Sequence, residues 1–156
     1  MGGLTLFVLL RQVGLQEQVN NQYYLQQARE DIGFYASQLS NILDQSLVGD
    51  VPLRAVLHGK FMFCSPEALC SMDMKNIAAD IHGLMPQALD IWSAIYPVFM
   101  GLSAVDDSQF KMTLASSKQK LVALLSFEIC VALDNLNFCR TDGKSGFTYV
   151  FNQKLQ

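Results

Sequence analysis

Charged residues are scarce in this chain of 156 residues: Asp, Glu, Lys and Arg make up 16%, against about 25% in a typical soluble domain. Hydrophobic residues make up 51%, which supplies enough apolar surface to offset the entropy lost on folding and excludes disorder. So few charges cover little of the outside of a folded chain. The composition therefore predicts either a large core or an apolar surface that contacts a partner.

Clusters of basic residues are also absent. The 11 Lys and Arg residues are scattered, the formal net charge is −3, and Lys118 and Lys120 form the one close basic pair. Because a phosphate backbone is held by grouped Lys and Arg side chains, we exclude nucleic acid as a partner.

Motifs of catalytic and nucleotide-binding sites are missing as well. The sequence contains no phosphate-binding P-loop, no dinucleotide fingerprint and no nucleophile elbow. Neither His58 nor His82 has an Asp or Glu three or four residues further on, where a second ligand would lie on a helix. We therefore expect no catalytic residues, no cofactor and no metal, and a function other than catalysis.

Closely spaced cysteine pairs are absent, which argues against a structural zinc site. The cysteines are spaced as Cys64-x5-Cys70 and Cys130-x8-Cys139, whereas zinc sites typically use C-x2-C. Their even number and their positions near the ends of predicted elements indicate disulfides. On one unbroken helix, Cys130 and Cys139 would lie about 13 Å apart, beyond the reach of a disulfide. Four free thiols are therefore the alternative.

Hydrophobic runs long enough to cross a membrane are lacking. The uncharged run Ile91–Val105 has 15 residues, about 22 Å as a helix, against about 30 Å for a hydrocarbon core. Within it Trp92, Tyr96 and Phe99 recur at steps of four and three, on one side of a helix that Pro97 is expected to bend. These aromatic residues are predicted to anchor either the core or a partner interface.

The chain starts with ten uncharged residues before Arg11, about half the length of a membrane-spanning helix. The basic region typical of a signal peptide is missing, and Leu6 stands where an N-myristoylation motif requires Ser or Thr. Two interpretations of residues 1–13 remain. They form either an apolar helix start packed on the domain or the stump of a longer membrane anchor.

A long helix is the clearest element of the sequence. Apolar residues recur between residues 15 and 48 at steps of three and four, which places them on one stripe of a helix. The members of this stripe are Leu25, Ala28, Ile32, Tyr35, Leu39 and Ile42. Leu6, Leu10 and Val13 form a second, shorter stripe that is out of phase with the first. We predict one helix whose apolar seam shifts near Val19.

Turn and cap residues divide the rest of the chain into further elements. The predicted boundaries are a stop at Gly49 and Pro52, a start at Ser65 and Pro66, and a bend or start at Pro86. A last helix is predicted to start at Asp107 or Ser108 and to reach Leu136. Residues 53–63 are ambiguous, and one interpretation is a short helix to His58 followed by an extended run. Residues 140–156 form an irregular or β-like tail, in which FTYVF alternates like a short strand. The sequence predicts an all-α bundle of four or five helices in a single domain, residues 1–156, with a long N-terminal helix and a kinked central helix.

These features favour a non-catalytic helical interaction module, membrane-proximal or part of a larger assembly, that binds a protein partner or itself. Its predicted core or interface anchors are Leu25, Ile32, Tyr35, Leu39, Trp92, Tyr96 and Phe99. One alternative is a secreted four-helix signalling protein stabilised by disulfides. Another is a carrier of a small apolar ligand, held near Met74, Met85, Trp92, Phe99 and Met100. A membrane-associated or extracytoplasmic location is favoured, with a membrane contact through the N-terminal residues.

Overall fold

The long N-terminal helix is present as predicted: α1 (Gly2–Leu43) is one helix of 42 residues. The computed structural model describes residues 2–144 and 149–155, without the side chains of residues 2–4 and 7. The apolar stripe in the second half of α1 faces the core, where Leu25, Ile32 and Leu39 are buried. Tyr35, a member of the same stripe, is half-buried against that core.

Six more α-helices follow in the described part of the chain, so that the fold is an all-α bundle. They are α2 (Leu53–Lys60), α3 (Pro66–Leu69), α4 (Met72–Leu84), α5 (Pro86–Ser103), α6 (Ser108–Leu125) and α7 (Phe127–Thr141). Helix α1 packs against α5 and α6, and α7 packs against α2, α4, α5 and α6. The sequence predicted four or five helices. The difference arises from the short helix α3 and from a break in the predicted last helix.

That break lies at Ser126, where one helix was expected to run on to Leu136. The backbone of Ser126 has φ 80° and ψ 153°, and α6 and α7 meet at an angle of 100°. The Ser126 hydroxyl accepts a hydrogen bond from the Ile129 amide at 3.2 Å, and so caps the start of α7. The apolar spacing continues through Ser126 without interruption, which explains why periodicity did not reveal the turn.

The predicted helix starts are confirmed by their capping contacts. The Ser65 hydroxyl accepts from the Ala68 amide, and Pro66 is the first residue of α3. Asp107 Oδ1 accepts from the Gln109 amide at 2.8 Å at the start of α6. Pro86 begins α5, which contains Pro97 as an interior residue.

Two connections differ from the sequence prediction. Gly49, expected to end α1, lies with φ +60° in the turn of a small hairpin between β1 (Ser46–Val48) and β2 (Val51–Pro52). Helix α2 continues to Lys60 and is followed by a turn instead of an extended run. In the C-terminal tail, residues 147 and 148 of the predicted strand lie outside the described residues. The described part, 149–155, is irregular and ends in a 3-10 turn, Gln153–Leu155.

Candidate functional site

The first half of α1 extends beyond the bundle and exposes apolar side chains to solvent. We call residues 5–23 the projecting segment; every described side chain in it is exposed. Its large apolar residues are Leu6, Val8, Leu9, Leu10, Val13, Leu15, Val19 and Tyr23, with exposed fractions from 46% for Val8 to 70% for Tyr23. Residues 1–13 were expected either to pack on the domain as an apolar helix start or to be the stump of an anchor, and the first expectation is wrong for Leu6, Val8, Leu9, Leu10 and Val13.

The bundle begins where the projecting segment ends. The ring of Tyr24 stacks on that of Phe110 with centroids 5.7 Å apart, and Leu25 is the first buried residue of α1. Slightly further along, Arg29 Nη2 donates to Thr113 Oγ1 of α6 at 3.1 Å. The change from exposed to buried apolar side chains thus falls within one turn of helix.

The projecting segment is nearly free of charge but rich in amides. Arg11 and Glu17 are the two charged residues between residues 2 and 28 of the sequence. The amide side chains in the segment are Gln12, Gln16, Gln18, Asn20, Asn21 and Gln22. The segment therefore offers apolar contact area together with many neutral hydrogen-bond donors and acceptors.

An open notch of about 360 Å³ separates the projecting segment from the start of α6. Its walls are Gly14, Glu17, Gln18, Asn21 and Gln22 on α1, and Asp107, Gln109 and Phe110 at the other side. Two carboxylates, those of Glu17 and Asp107, line the notch, and no Lys or Arg is among its described lining residues.

The aromatic residues of the uncharged run lie in the core and do not form a surface. Trp92, Tyr96 and Phe99 of α5 are 1–3% exposed. The ring of Trp92 lies edge-on to that of Tyr96, with centroids 6.2 Å apart. The sequence allowed either a core or an interface position for these residues, and in the structure they lie in the core.

A buried carboxylate, Asp134 of α7, is the residue that sequence reasoning missed. Its side chain is completely buried, and four donors from two parts of the chain converge on it. Asp134 Oδ1 accepts from Trp92 Nε1 at 3.0 Å and from the Tyr96 hydroxyl. Oδ2 accepts from the backbone amides of Phe151 and Asn152 at 2.8 and 3.0 Å. Asp134 therefore joins the central helix α5 to the C-terminal tail.

The neighbouring side chain of Asn135 strengthens the same junction. Its Nδ2 donates to the Phe61 carbonyl at 2.6 Å, and its Oδ1 accepts from Asn152 Nδ2 at 2.6 Å.

Burial raises the pKa of the Asp134 carboxyl above its usual value, although the four hydrogen-bond donors lower it. We interpret this cluster as a structural device that ties the tail to the bundle, since buried polar groups require partners. The adjacent Asp134 and Asn135 inside an otherwise apolar helix were the one feature of the sequence that could have indicated this cluster.

The predicted disulfides are not formed. All four cysteines are free thiols, and Cys130 and Cys139 are buried in α7. Burial raises the pKa of the Cys139 thiol to about 11, and it also raises that of Cys130. A thiol with a raised pKa is protonated at neutral pH and is a weak nucleophile.

The other candidate chemistry is weak in the described residues. His82 Nε2 lies 3.6 Å from Asp90 Oδ1. The two residues are eight positions apart in sequence, so the spacing of three or four residues did not predict this contact. Within residues 2–144 and 149–155, no group of three side chains is arranged to hold a metal ion. A cleft of about 580 Å³ between α5, α6 and the tail touches Phe99 and Met100, two of the residues proposed for an apolar ligand.

Comparison with protein families, with curated proteins and with solved structures finds no match for this chain. Among the described helices, none is by itself long and apolar enough to cross a membrane. Helices α6 and α7, which meet at an angle of 100°, have the length and apolar composition of a membrane span only when they are taken together.

Proposed function

We propose that this protein is a non-catalytic helical interaction module that associates with a second copy of itself through the projecting segment. One observation carries the proposal: eight large apolar side chains are exposed together on residues 5–23, while the rest of α1 buries its apolar stripe. Large exposed apolar surfaces are typical of binding sites. Burying it on a partner is favourable by about 25 cal/mol for each Å² removed from water.

The polar side chains of the segment favour a protein partner over a lipid one. Six amide side chains lie among the apolar residues between Gln12 and Gln22. In a hydrocarbon environment each unpaired amide costs several kcal/mol, roughly 4–8 on a cyclohexane scale. A protein surface offers hydrogen-bond partners to these amides while it covers the apolar side chains.

The test is the association state of the full chain, measured by light scattering over a wide range of concentrations. We expect association of the wild type and its loss in Val13→Asp/Val19→Asp, because the two charges are placed on different faces of the projecting segment. The matched control is Val48→Asp/Val51→Asp in the hairpin. Its valines are 64% and 47% exposed, against 56% and 62% for Val13 and Val19, so folding should tolerate both variants equally.

Two results would overturn the proposal. One is a wild type that stays monomeric at every concentration and behaves like both variants. The other is binding of the wild type to phospholipid vesicles in place of self-association, lost in Val13→Asp/Val19→Asp and kept in the control. That result would assign the apolar side chains to a membrane surface.

A further inference from the structure

We propose that a cleft between α1 and α6 binds a phosphate group, either as inorganic phosphate or as part of a phosphorylated small molecule. Its volume is about 170 Å³, and its lining residues are Arg29 on α1 and Ser116, Ser117 and Lys120 on α6. The cleft lies beside the second half of α1, outside the projecting segment. This inference therefore does not depend on the proposed self-association.

Two cations from different helices line the cleft without a carboxylate partner. Within residues 2–144 and 149–155, neither Arg29 nor Lys120 forms an ion pair. Neither has an Asp or Glu three or four residues away on its own helix, where such a partner would lie. Glu30, the next residue along α1, instead accepts a hydrogen bond from Gln26 at 3.3 Å. Two uncompensated positive charges beside one cleft attract an anion.

Gly33 makes room for one of these cations. The Lys120 Nζ lies 2.9 Å from the place where a Cβ of residue 33 would be, so the ammonium group lies close against the backbone of α1. A glycine inside a helix lowers helix propensity, and here its missing side chain leaves space that Lys120 fills. Arg29 precedes Gly33 by one turn, about 6 Å along the helix axis. Both cations therefore lie on the same stretch of α1.

The second cation, Arg29, is already oriented by α6. Its Nη2 donates to Thr113 Oγ1 at 3.1 Å, which holds the guanidinium group over that helix. A guanidinium group carries five N–H donors, so several remain for an anion. A side chain that is held in place before binding loses less conformational entropy when the ligand arrives.

The hydroxyl of Ser117 provides a further donor. Ser117 is only 3% exposed and lines the cleft, and its hydroxyl forms no hydrogen bond with another described residue. The neighbouring Ser116 differs, because its hydroxyl donates to the Thr113 carbonyl at 3.1 Å. Buried polar groups generally have a hydrogen-bond partner. An anion in the cleft would supply one to Ser117.

The number and kind of these donors favour a phosphate group over a carboxylate. A phosphate monoester carries about 1.5 to 2 negative charges at neutral pH, which two cations can neutralise, whereas a carboxylate carries one. Its oxygens can accept from a guanidinium, an ammonium and a hydroxyl group at the same time. The cleft is smaller than the roughly 300–1,000 Å³ of sites that enclose whole small molecules. It therefore holds the phosphate group and leaves the rest of a ligand outside.

Titration of the full chain with sodium phosphate tests the site, followed by amide NMR with sodium chloride at the same ionic strength as the reference. We expect saturable shifts at Gly33, Ser116 and Ser117. Lys120→Gln should raise the dissociation constant about tenfold, because it removes a charge-assisted hydrogen bond. The matched control is Lys118→Gln, which removes the same charge from the same helix. Lys118 lines a different cleft, beside the tail, so this variant should bind phosphate like the wild type.

Gly33→Ala tests the space in place of the charge. The added Cβ displaces the flexible end of Lys120, so the variant should stay folded while its dissociation constant rises by a similar factor. Gly83→Ala in α4 is the control, since no atom lies within 4 Å of its added Cβ, and it should not change phosphate binding. Urea denaturation checks that every variant is folded.

The outcomes are distinct from those of the self-association test. Loss of binding in Lys120→Gln and Gly33→Ala, with both controls unchanged, supports the site. Glycerol 3-phosphate then distinguishes the sources: tighter binding of this ester indicates a phosphorylated small molecule, equal binding indicates inorganic phosphate, and either supports the site. Equal shifts with phosphate and chloride, or equal losses in Lys118→Gln and Lys120→Gln, would overturn it as general charge screening. No response to phosphate, together with binding to phosphatidic acid vesicles that Lys120→Gln abolishes, would also overturn it and assign the cations to a membrane surface.

Discussion

The two halves of α1 form one continuous helix in opposite surroundings. In the projecting segment, Leu10 is 62% and Val19 is 62% exposed, whereas Ile32 and Leu39 in the second half are completely buried. The amino acids are similar in hydrophobicity on both sides of the boundary. Burial in this protein is thus decided by position relative to α5 and α6, and not by the helix that carries the residue.

The phase of the apolar stripe explains where the boundary falls. The residues that precede Leu25 in the same helical register are Asn21, Gln18, Gly14 and Arg11. The core face of α1 is therefore polar in the projecting segment, while the apolar residues there lie on other faces. A face of this kind cannot extend the core, and the bundle ends at the stacked rings of Tyr24 and Phe110.

The largest effect that distinguishes the two regions is expected from truncating an aromatic residue in each. Trp92→Ala should lower the free energy of unfolding by about 3–5 kcal/mol, because it leaves a cavity in the core and removes a donor from Asp134. Tyr23→Ala, at a side chain that is 70% exposed, should change it by no more than about 0.5 kcal/mol. Urea denaturation at low protein concentration measures both. Equal losses would mean that the projecting segment is packed.

The sequence was sufficient to predict the helical class, the presence of a long N-terminal helix and the capped starts of α3 and α6. These features depend on neighbouring residues: spacing of three and four, and a Ser or Asp before the first turn. The break at Ser126 was not predictable from periodicity, because one residue with positive φ changes the direction of the chain and leaves the spacing intact. The exposure of residues 5–23 was also missed, since an apolar helix start gives no indication of how far α5 and α6 extend.

A smaller effect, with a pH dependence, is expected at the Tyr96 hydroxyl. Because burial raises the pKa of Asp134, stability is greatest below the ordinary pKa of the carboxyl and falls as pH rises through its folded-state value. The Tyr96 hydroxyl opposes that shift by donating to Oδ1. Tyr96→Phe should therefore raise the pKa of Asp134 further and lower the free energy of unfolding at neutral pH by about 1–3 kcal/mol.

The loss in Tyr96→Phe should be smaller in acid, where the Asp134 carboxyl is protonated and needs fewer donors. Urea denaturation at neutral and at acidic pH measures the difference. Tyr23→Phe in the projecting segment is the matched control and should be unchanged at both pH values. If Tyr96→Phe lost the same stability at both, the hydroxyl would act by packing alone, and Asp134 would not be the group that responds to pH.

The Asp134 cluster shows what spacing rules cannot provide about a site. Its four donors come from α5 and from residues 151 and 152 of the tail, up to 42 residues away in sequence. In an isolated helix, Asp134 and Asn135 would be interpreted as a solvated face. When the tail packs on α7, Asp134 and Asn135 become buried and each forms hydrogen bonds with residues of the tail.

The smallest expected effect concerns how firmly the two halves of α1 are coupled. An exposed helix is stabilised mainly by propensity and by growth from an existing nucleus, which the buried half supplies. Gly14→Ala should therefore stabilise the projecting segment by about 0.5–1 kcal/mol. Hydrogen exchange in residues 5–23 should slow accordingly at low protein concentration. Global unfolding of the bundle should hardly change, because the segment opens without it.

The matched control for that substitution is Gly101→Ala in α5, where an added Cβ would meet the Tyr24 hydroxyl. Tyr24 must then move away from Phe110, so this variant should lower the free energy of global unfolding. If Gly14→Ala instead raised that global free energy by its full local gain, the helix would unfold as one unit with the bundle. The projecting segment would then be an integral part of the folded body, and its exposed side chains would have to be explained by the stability of the monomer itself.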